Sequence, residues 1–174
     1  MGFDKRNLLI NGQPIINKLE DELRSVCPRV MISCKKDDPV FLHIENLFDQ
    51  FSVGGPLNGI MTALTTFPDD DILVVAADQP FILKNHLEQL IAKSDPTKPV
   101  ATFYNQSLKR PEPFPSLWRP SSFKLIEFFL IKNRPSPLDF LSQTEISLLH
   151  TTDTRLHTNL NNPEDFKGFL EISK

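Results

Sequence analysis

No run of this chain approaches the roughly 18 consecutive apolar residues that a membrane span requires. The opening MGFDKRNLL lacks the apolar core of a secretory leader, so neither a membrane nor an exported protein is expected. Excess positive charge is missing too: 19 Lys and Arg stand against 22 Asp and Glu, a net charge of -3. A broad electrostatic footprint for DNA or RNA is thereby excluded, although a local basic pocket is not. The two cysteines, Cys27 and Cys34, form no CxxC pair, which points to a reducing cytoplasm and away from disulfide staples. His43, His86, His150 and His157 show neither HExxH nor another metal spacing and read as structural. There is no internal repeat, low-complexity tract or long linker. What remains is an ordinary globular composition, 174 residues with 40% hydrophobic and 24% charged side chains and a mean hydropathy of -0.22. One domain over residues 1–174, with a core of its own, is the expectation.

Proline is the exception to scarcity, at 15 residues, close to twice the average share of about 5%. Many short elements with sharp ends should follow. Leu8, Leu9 and Ile10 run into Asn11-Gly12, a turn pair, and Pro14 suits the first turn of a helix. Ile15, Ile16, Leu19, Leu23 and Val26 share one helical face, ended before Pro28. VMISC at 30–34 and VFLHI at 40–44 read as strands. GGPLNGIMTALTTF reads as a glycine turn opening a helix that stops by Pro68. Ile72 to Ala77 is continuously apolar, as a central parallel strand buried on both faces would be.

A helix over 83–94, strands at 100–104 and 114–118, a helix over 121–133, a short helix near 138–141 and a strand near 146–149 complete the pattern. A last helix is expected from Pro163, capped by Asn162. Strands alternating with helices predict an α/β fold, a doubly wound and mostly parallel Rossmann-like sheet with helices on both faces.

In such sheets ligands bind beyond the carboxyl ends of the strands. Asp78 comes directly after the most apolar strand and before Gln79-Pro80, so it offers a rigidly held carboxylate suited to a hard cation such as Mg²⁺. Alone, it could equally cap the next turn. Gly54-Gly55-Pro56-Leu57-Asn58-Gly59 sets small residues at a helix start, where free N–H groups favour an anion. A structural turn explains that stretch as well. Lys5 could meet a phosphate as a point charge or be merely solvated, and Asn159 and Asn161 could be turn residues.

Taken in order, MGFDK, NGQPI, GGPLNGI, AADQPFI and NLNNPEDF resemble the motifs of the molybdenum cofactor guanylyltransferases, nucleotidyltransferases of the nucleotide-diphospho-sugar-transferase-like fold, and do so across nearly the whole chain. That resemblance implies transfer of GMP from GTP to the phosphate of molybdopterin or the molybdenum cofactor, with Mg²⁺ as the cofactor and pyrophosphate released. It implies that Asp78 binds the metal, that Lys5 contacts the nucleotide phosphates, and that Gly55 lines the cleft at the helix start. Asn159 and Asn161 match paired asparagines on the pterin side, and Glu112 in RPEP lies where relatives place an acceptor segment. A second copy of the chain or cofactor-delivery proteins are the further partners implied.

Three departures accompany the matches. The family opens with a strand and a glycine-rich LAGGxSxRMG loop, of which this sequence shows only the final Met-Gly, so an N-terminally truncated domain is expected. Ser33 stands where the family often has an asparagine, and Asn46 where an aspartate is expected, both near base or ribose. These changes keep open a cytidylyltransferase, another small-phosphate nucleotidyltransferase, or a catalytically inactive homologue that binds nucleotide or pterin. The absent first strand should leave a slot for another strand or another chain.

Overall fold

The computed structural model describes residues 9–10 and 12–159. A small antiparallel hairpin, β1 (Leu9–Ile10) and β2 (Gln13–Pro14), turns at Gly12, whose φ of +82° is natural only for glycine. It leads into α1 (Ile15–Arg24), which buries Ile15 and Leu19, one turn apart on one face. Then come β3 (Met31–Cys34), β4 (Glu45–Phe48), α2 (Pro56–Thr66), β5 (Ile72–Val74), α3 (Lys84–Lys93), β6 (Val100–Asn105), β7 (Arg110–Trp118), α4 (Ser122–Leu130), α5 (Pro137–Gln143) and β8 (Ser147–Leu149). A 3₁₀ turn covers Thr154–His157. Proline does what its abundance predicts: Pro56 and Pro137 occupy first-turn positions where no N–H is needed, and the Ser136 hydroxyl accepts the Asp139 N–H at 3.2 Å.

The strands form a four-stranded sheet in the order β5-β7-β6-β8 and a separate parallel pair β3-β4. The sheet is mixed. Parallel pairing holds at β3–β4 and β6–β8, whereas β7 runs antiparallel to both β5 and β6. Side chains on a strand alternate between faces, and the core follows that rule. Ala101, Phe103 and Leu117 face α1 and α3, meeting Ile15, Leu19, Leu87 and Leu90, while Val100 and Trp118 face α2, α4 and α5. Trp118 stacks on Phe140 with ring centroids 5.6 Å apart. Helices therefore cover both faces, the doubly wound α/β arrangement that the alternating pattern predicts.

Two expectations change. Residues 40–44 are not a strand; the pairing shifts to Glu45–Phe48. The cause is Asn46, whose amide donates to the carbonyls of Phe41 and Ile44 at 2.8 and 2.9 Å and accepts the Phe41 N–H at 3.0 Å, tying 41–46 into a loop that leaves Leu42 89% exposed. The second change concerns the apolar run 72–77. Only Ile72–Val74 pairs as a strand; it is half-buried rather than enclosed, and its one neighbour among the described residues, β7, is antiparallel. The helix expected from Pro163 lies outside the described residues.

Candidate active site

The carboxyl ends of β3 and β4 meet the first half of α2. A Cβ added at Gly59 would lie 2.2 Å from Ser33 Oγ and 3.0 Å from Ser33 Cβ, so the missing side chain is what lets this helix press against β3. Ser33 Oγ approaches Asp49 Oδ1 at 3.5 Å from the neighbouring strand end. Burial lifts the Asp49 carboxyl above the ordinary carboxylate range, opposed by the Ser33 hydroxyl and by the charge of Lys35.

The segment carrying Asp49 is lashed to α2. Asn58, buried, accepts the Phe51 N–H at 3.2 Å and donates to the carbonyls of Phe51 and Val53, and the Thr62 hydroxyl accepts the Gln50 N–H at 3.1 Å. The asparagine inside GGPLNG is thus a staple for the loop before the helix. Gly55 caps α2 with φ of +72°, and a Cβ there would meet the Pro135 carbonyl oxygen at 3.4 Å.

Beyond β5 the chain turns at 77–78, and Asp78 sits half-buried on that turn. Gln79 anchors it: its side-chain amide donates to the Phe114 carbonyl of β7 at 2.9 Å and its Oε1 accepts the Ala76 N–H at 3.4 Å. Gln79 itself is only 3% exposed. Lys18 Nζ donates to the Ile82 carbonyl at 3.0 Å and Glu22 accepts the Lys84 N–H at 2.6 Å, so α1 clamps the far side of the same segment.

A groove of about 500 Å³ separates β3 from β5, lined by Arg29, Met31 and Ser33 on one wall, residues 70–76 on the other, and α2 beneath. It ends at Ala76, just short of Asp78.

The structure brings Ser33, Gly59 and Asp49 together and places Asp78 on a latched turn at the carboxyl end of β5. Gly55 lies at the start of the helix that carries Gly59. Asn46 does not join them, because its side chain is spent on the 41–46 loop. Asp49, three residues on, is the carboxylate at this strand end. The strand expected at 40–44 set its end next to Asn46, whereas β4 ends at Phe48, directly before Asp49.

Asn159 is exposed, just beyond the 3₁₀ turn whose Leu156 is buried beneath α1 and α3. Lys5 and Asn161 lie outside the described residues. Glu112 is 7% exposed and takes the Asn105 amide at 2.6 Å, which braces β6 against β7. Among the described residues no group of three or more His, Cys, Asp or Glu side chains could cage a metal, and no helix is long and apolar enough to cross a membrane.

An α/β sheet covered on both faces, with a glycine-capped helix and acidic groups at the carboxyl ends of its strands, is the design of a nucleotide-handling enzyme. Residues 1–144 match the MobA-like NTP transferase domain. The chain belongs to that family and is a nucleotidyltransferase.

Among the relatives, it is 25% identical over 179 residues to a probable molybdenum cofactor guanylyltransferase of Carboxydothermus hydrogenoformans, covering 99% of this chain and 89% of that protein. It is 27% identical over 169 residues to a molybdenum cofactor biosynthesis bifunctional protein of Synechocystis, covering 95% of this chain but only 49% of that longer protein. In fold it is similar to the molybdopterin-guanine dinucleotide biosynthesis protein A of Archaeoglobus fulgidus, with a TM-score of 0.73, 20% identity, and 99% and 91% of the two chains covered. It is similar also to a 2-C-methyl-D-erythritol 4-phosphate cytidylyltransferase of Thermus thermophilus, with a TM-score of 0.68, 11% identity, and 97% and 93% covered.

Proposed function

We propose that this chain transfers GMP from GTP to the phosphate of molybdopterin or the molybdenum cofactor, releasing pyrophosphate. The observation that carries the reading is the latched turn at 76–79, which holds the one carboxylate of AADQPFI beyond β5, in a chain whose relatives are named for this activity. The acceptor phosphate is already anionic, so no protein nucleophile is needed, and positioning alone can contribute up to about 7 to 11 kcal/mol to the rate.

Asp78 fits a Mg²⁺ site of the kind in which one or two carboxylates hold the ion and substrate phosphates and water complete its shell. When bound, Mg²⁺ neutralises charge on the phosphate oxygens. In this proposal Lys5 balances the charge left on pyrophosphate, and the positive end of the α2 dipole, at Gly55, faces an anion. Ser33 and Asp49 hold the nucleoside, while Asn159 and Asn161 serve the pterin side. Cofactor-delivery proteins or a second copy are the partners this reading adds, in a cytoplasmic setting.

The test is pyrophosphate release with molybdopterin as acceptor and either GTP or CTP as donor, with and without Mg²⁺. GTP turnover that needs the metal is expected. A preference for CTP would make the chain a cytidylyltransferase, and nucleotide binding without any turnover would make it an inactive homologue.

A further inference from the structure

Helix α4 turns Ile126 and Phe129 into the core with residues of α2 and α5, yet three of its large apolar side chains face outward. Leu125, Phe128 and Ile131 are 43%, 71% and 72% exposed. They fall at i, i+3 and i+6, one row along the helix, because the backbone keeps helical angles at Ile131 (φ -60°, ψ -33°). None of the contacts at the candidate active site uses them. Single exposed apolar residues are ordinary; a row of three on one ridge marks a contact surface.

The charges around this ridge decide what covers it. Lys124 stands one turn before Phe128 and Lys132 one turn after it, both exposed. Glu127 is taken up by Lys124 at 2.8 Å, whereas no carboxylate pairs with Lys132 among the described residues. The row thus has a cation at either end, in a chain whose net charge is -3. A second copy fits badly. Two α4 helices stacked antiparallel set Lys124 of one near Lys132 of the other, and parallel stacking sets each lysine on its twin. The row also exposes only on the order of 300 Å², short of the roughly 800 Å² per partner of a stable interface.

An extended peptide gains little on such a surface, because the N–H and C=O groups within a helix are already paired. Another helix, packing its side chains between those of the row, is the element that fits. We infer that α4 transiently docks an amphipathic helix of a separate protein, through an apolar stripe bordered by Asp or Glu. The position gives this contact a consequence. Beyond Ile131 the chain soon reaches Pro135, which lies against Gly54 and Gly55 at the start of α2. A partner seated on α4 therefore stands beside the helix start that the proposed reaction uses. The inference rests on the surface of α4 and survives failure of that chemistry.

The test uses the 174-residue chain and a fluorescent synthetic helix of about 16 residues, with Leu on one face and Glu on the other, read by anisotropy rather than by turnover. One helix per chain should bind, and a counterpart with Lys for every Glu should bind at least about tenfold less tightly. Phe128→Ser and Lys132→Glu should each weaken the Glu helix by about tenfold or more, with the melting temperature unchanged, since both side chains are exposed. Lys132→Glu should also bind the Lys helix more tightly than the unsubstituted chain does, an exchange that mere stickiness does not produce. Equal binding of both helices by every variant would overturn the inference, as would no binding at about 1 mM peptide. A dimer that Phe128→Ser abolishes, without uptake of the Glu helix, would replace the partner by a second copy. Flotation with phosphatidylglycerol vesicles that depends on Phe128, again without uptake of the Glu helix, would replace it by a lipid surface.

Discussion

At the scale of single residues, the contact of Gly59 with Ser33 makes a sharp forecast. Alanine in an exposed helix interior gains about 1 kcal/mol over glycine, yet at 59 its Cβ would overlap the Ser33 hydroxyl. Overpacking of that kind costs about 1 to 3 kcal/mol, so Gly59→Ala is expected to destabilise. Adding Ser33→Gly should restore stability, and urea melts of the three variants measure the coupling.

Asp78→Ala should abolish pyrophosphate release while lowering the melting temperature by no more than a few degrees, because Asp78 is half-buried on a turn that Gln79 holds. Turnover at the unsubstituted rate would take Asp78 out of the chemistry. The position of Asp78 on the turn beyond β5 was legible in sequence, because a polar residue after an apolar run marks where the chain leaves a strand. Asp49 was not, because naming it required knowing that Asn46 spends its amide on Phe41 and Ile44, a loop that no periodicity announces.

Among elements, helices were the more readable. Each is bounded by a proline or a small residue and carries an apolar stripe that local spacing reveals, as in Ile15 and Leu19 of α1. Strands depend on partners distant in sequence. ENLF pairs as β4 although VFLHI has the stronger β character, because register with β3 buries Leu47 there. The direction of β7 likewise could not be read from FPSLW.

The turn at 76–79 supplies the test at this scale. Gln79→Met keeps the bulk but removes both hydrogen bonds, leaving the Phe114 carbonyl and the Ala76 N–H without that partner. A loss of about 1 to 3 kcal/mol in stability is expected, together with a fall in kcat larger than any rise in KM, since the bound nucleotide is untouched while its carboxylate loses its hold.

For the molecule as a whole, acid sensitivity should come from its buried histidines. Burial holds the His86 imidazole below the ordinary histidine value, against the pull of Asp153 and Glu22 and with added repulsion from Arg155 and His157. His157 is lowered by burial as well, against Glu112 and Asp153. The unfolded chain binds these protons near the ordinary value of 6.5 and the folded chain resists them, so the contribution is intact above that pH and is lost as pH falls below it. Neutral His86 also accepts the Leu83 N–H on Nδ1 at 3.3 Å, a bond that protonation removes. Stability measured by urea titration should fall as the pH drops from about 7.5 to about 5.5. His86→Asn, which keeps an acceptor but cannot titrate, should flatten that slope.

Asp69, Asp70 and Asp71 stand in a row at the head of β5, all exposed, with Asp71 3.6 Å from Arg119. Open strand borders invite stacking between molecules, and a run of negative charge at the tip of one is a known deterrent. At the outer border of β5, which pairs only with β7 among the described residues, the triple aspartate is expected to act as a colloidal guard that keeps copies apart. Solutions of this protein should cloud more readily in high salt, or when those three side chains are made amides, than the balance of its overall charge would suggest.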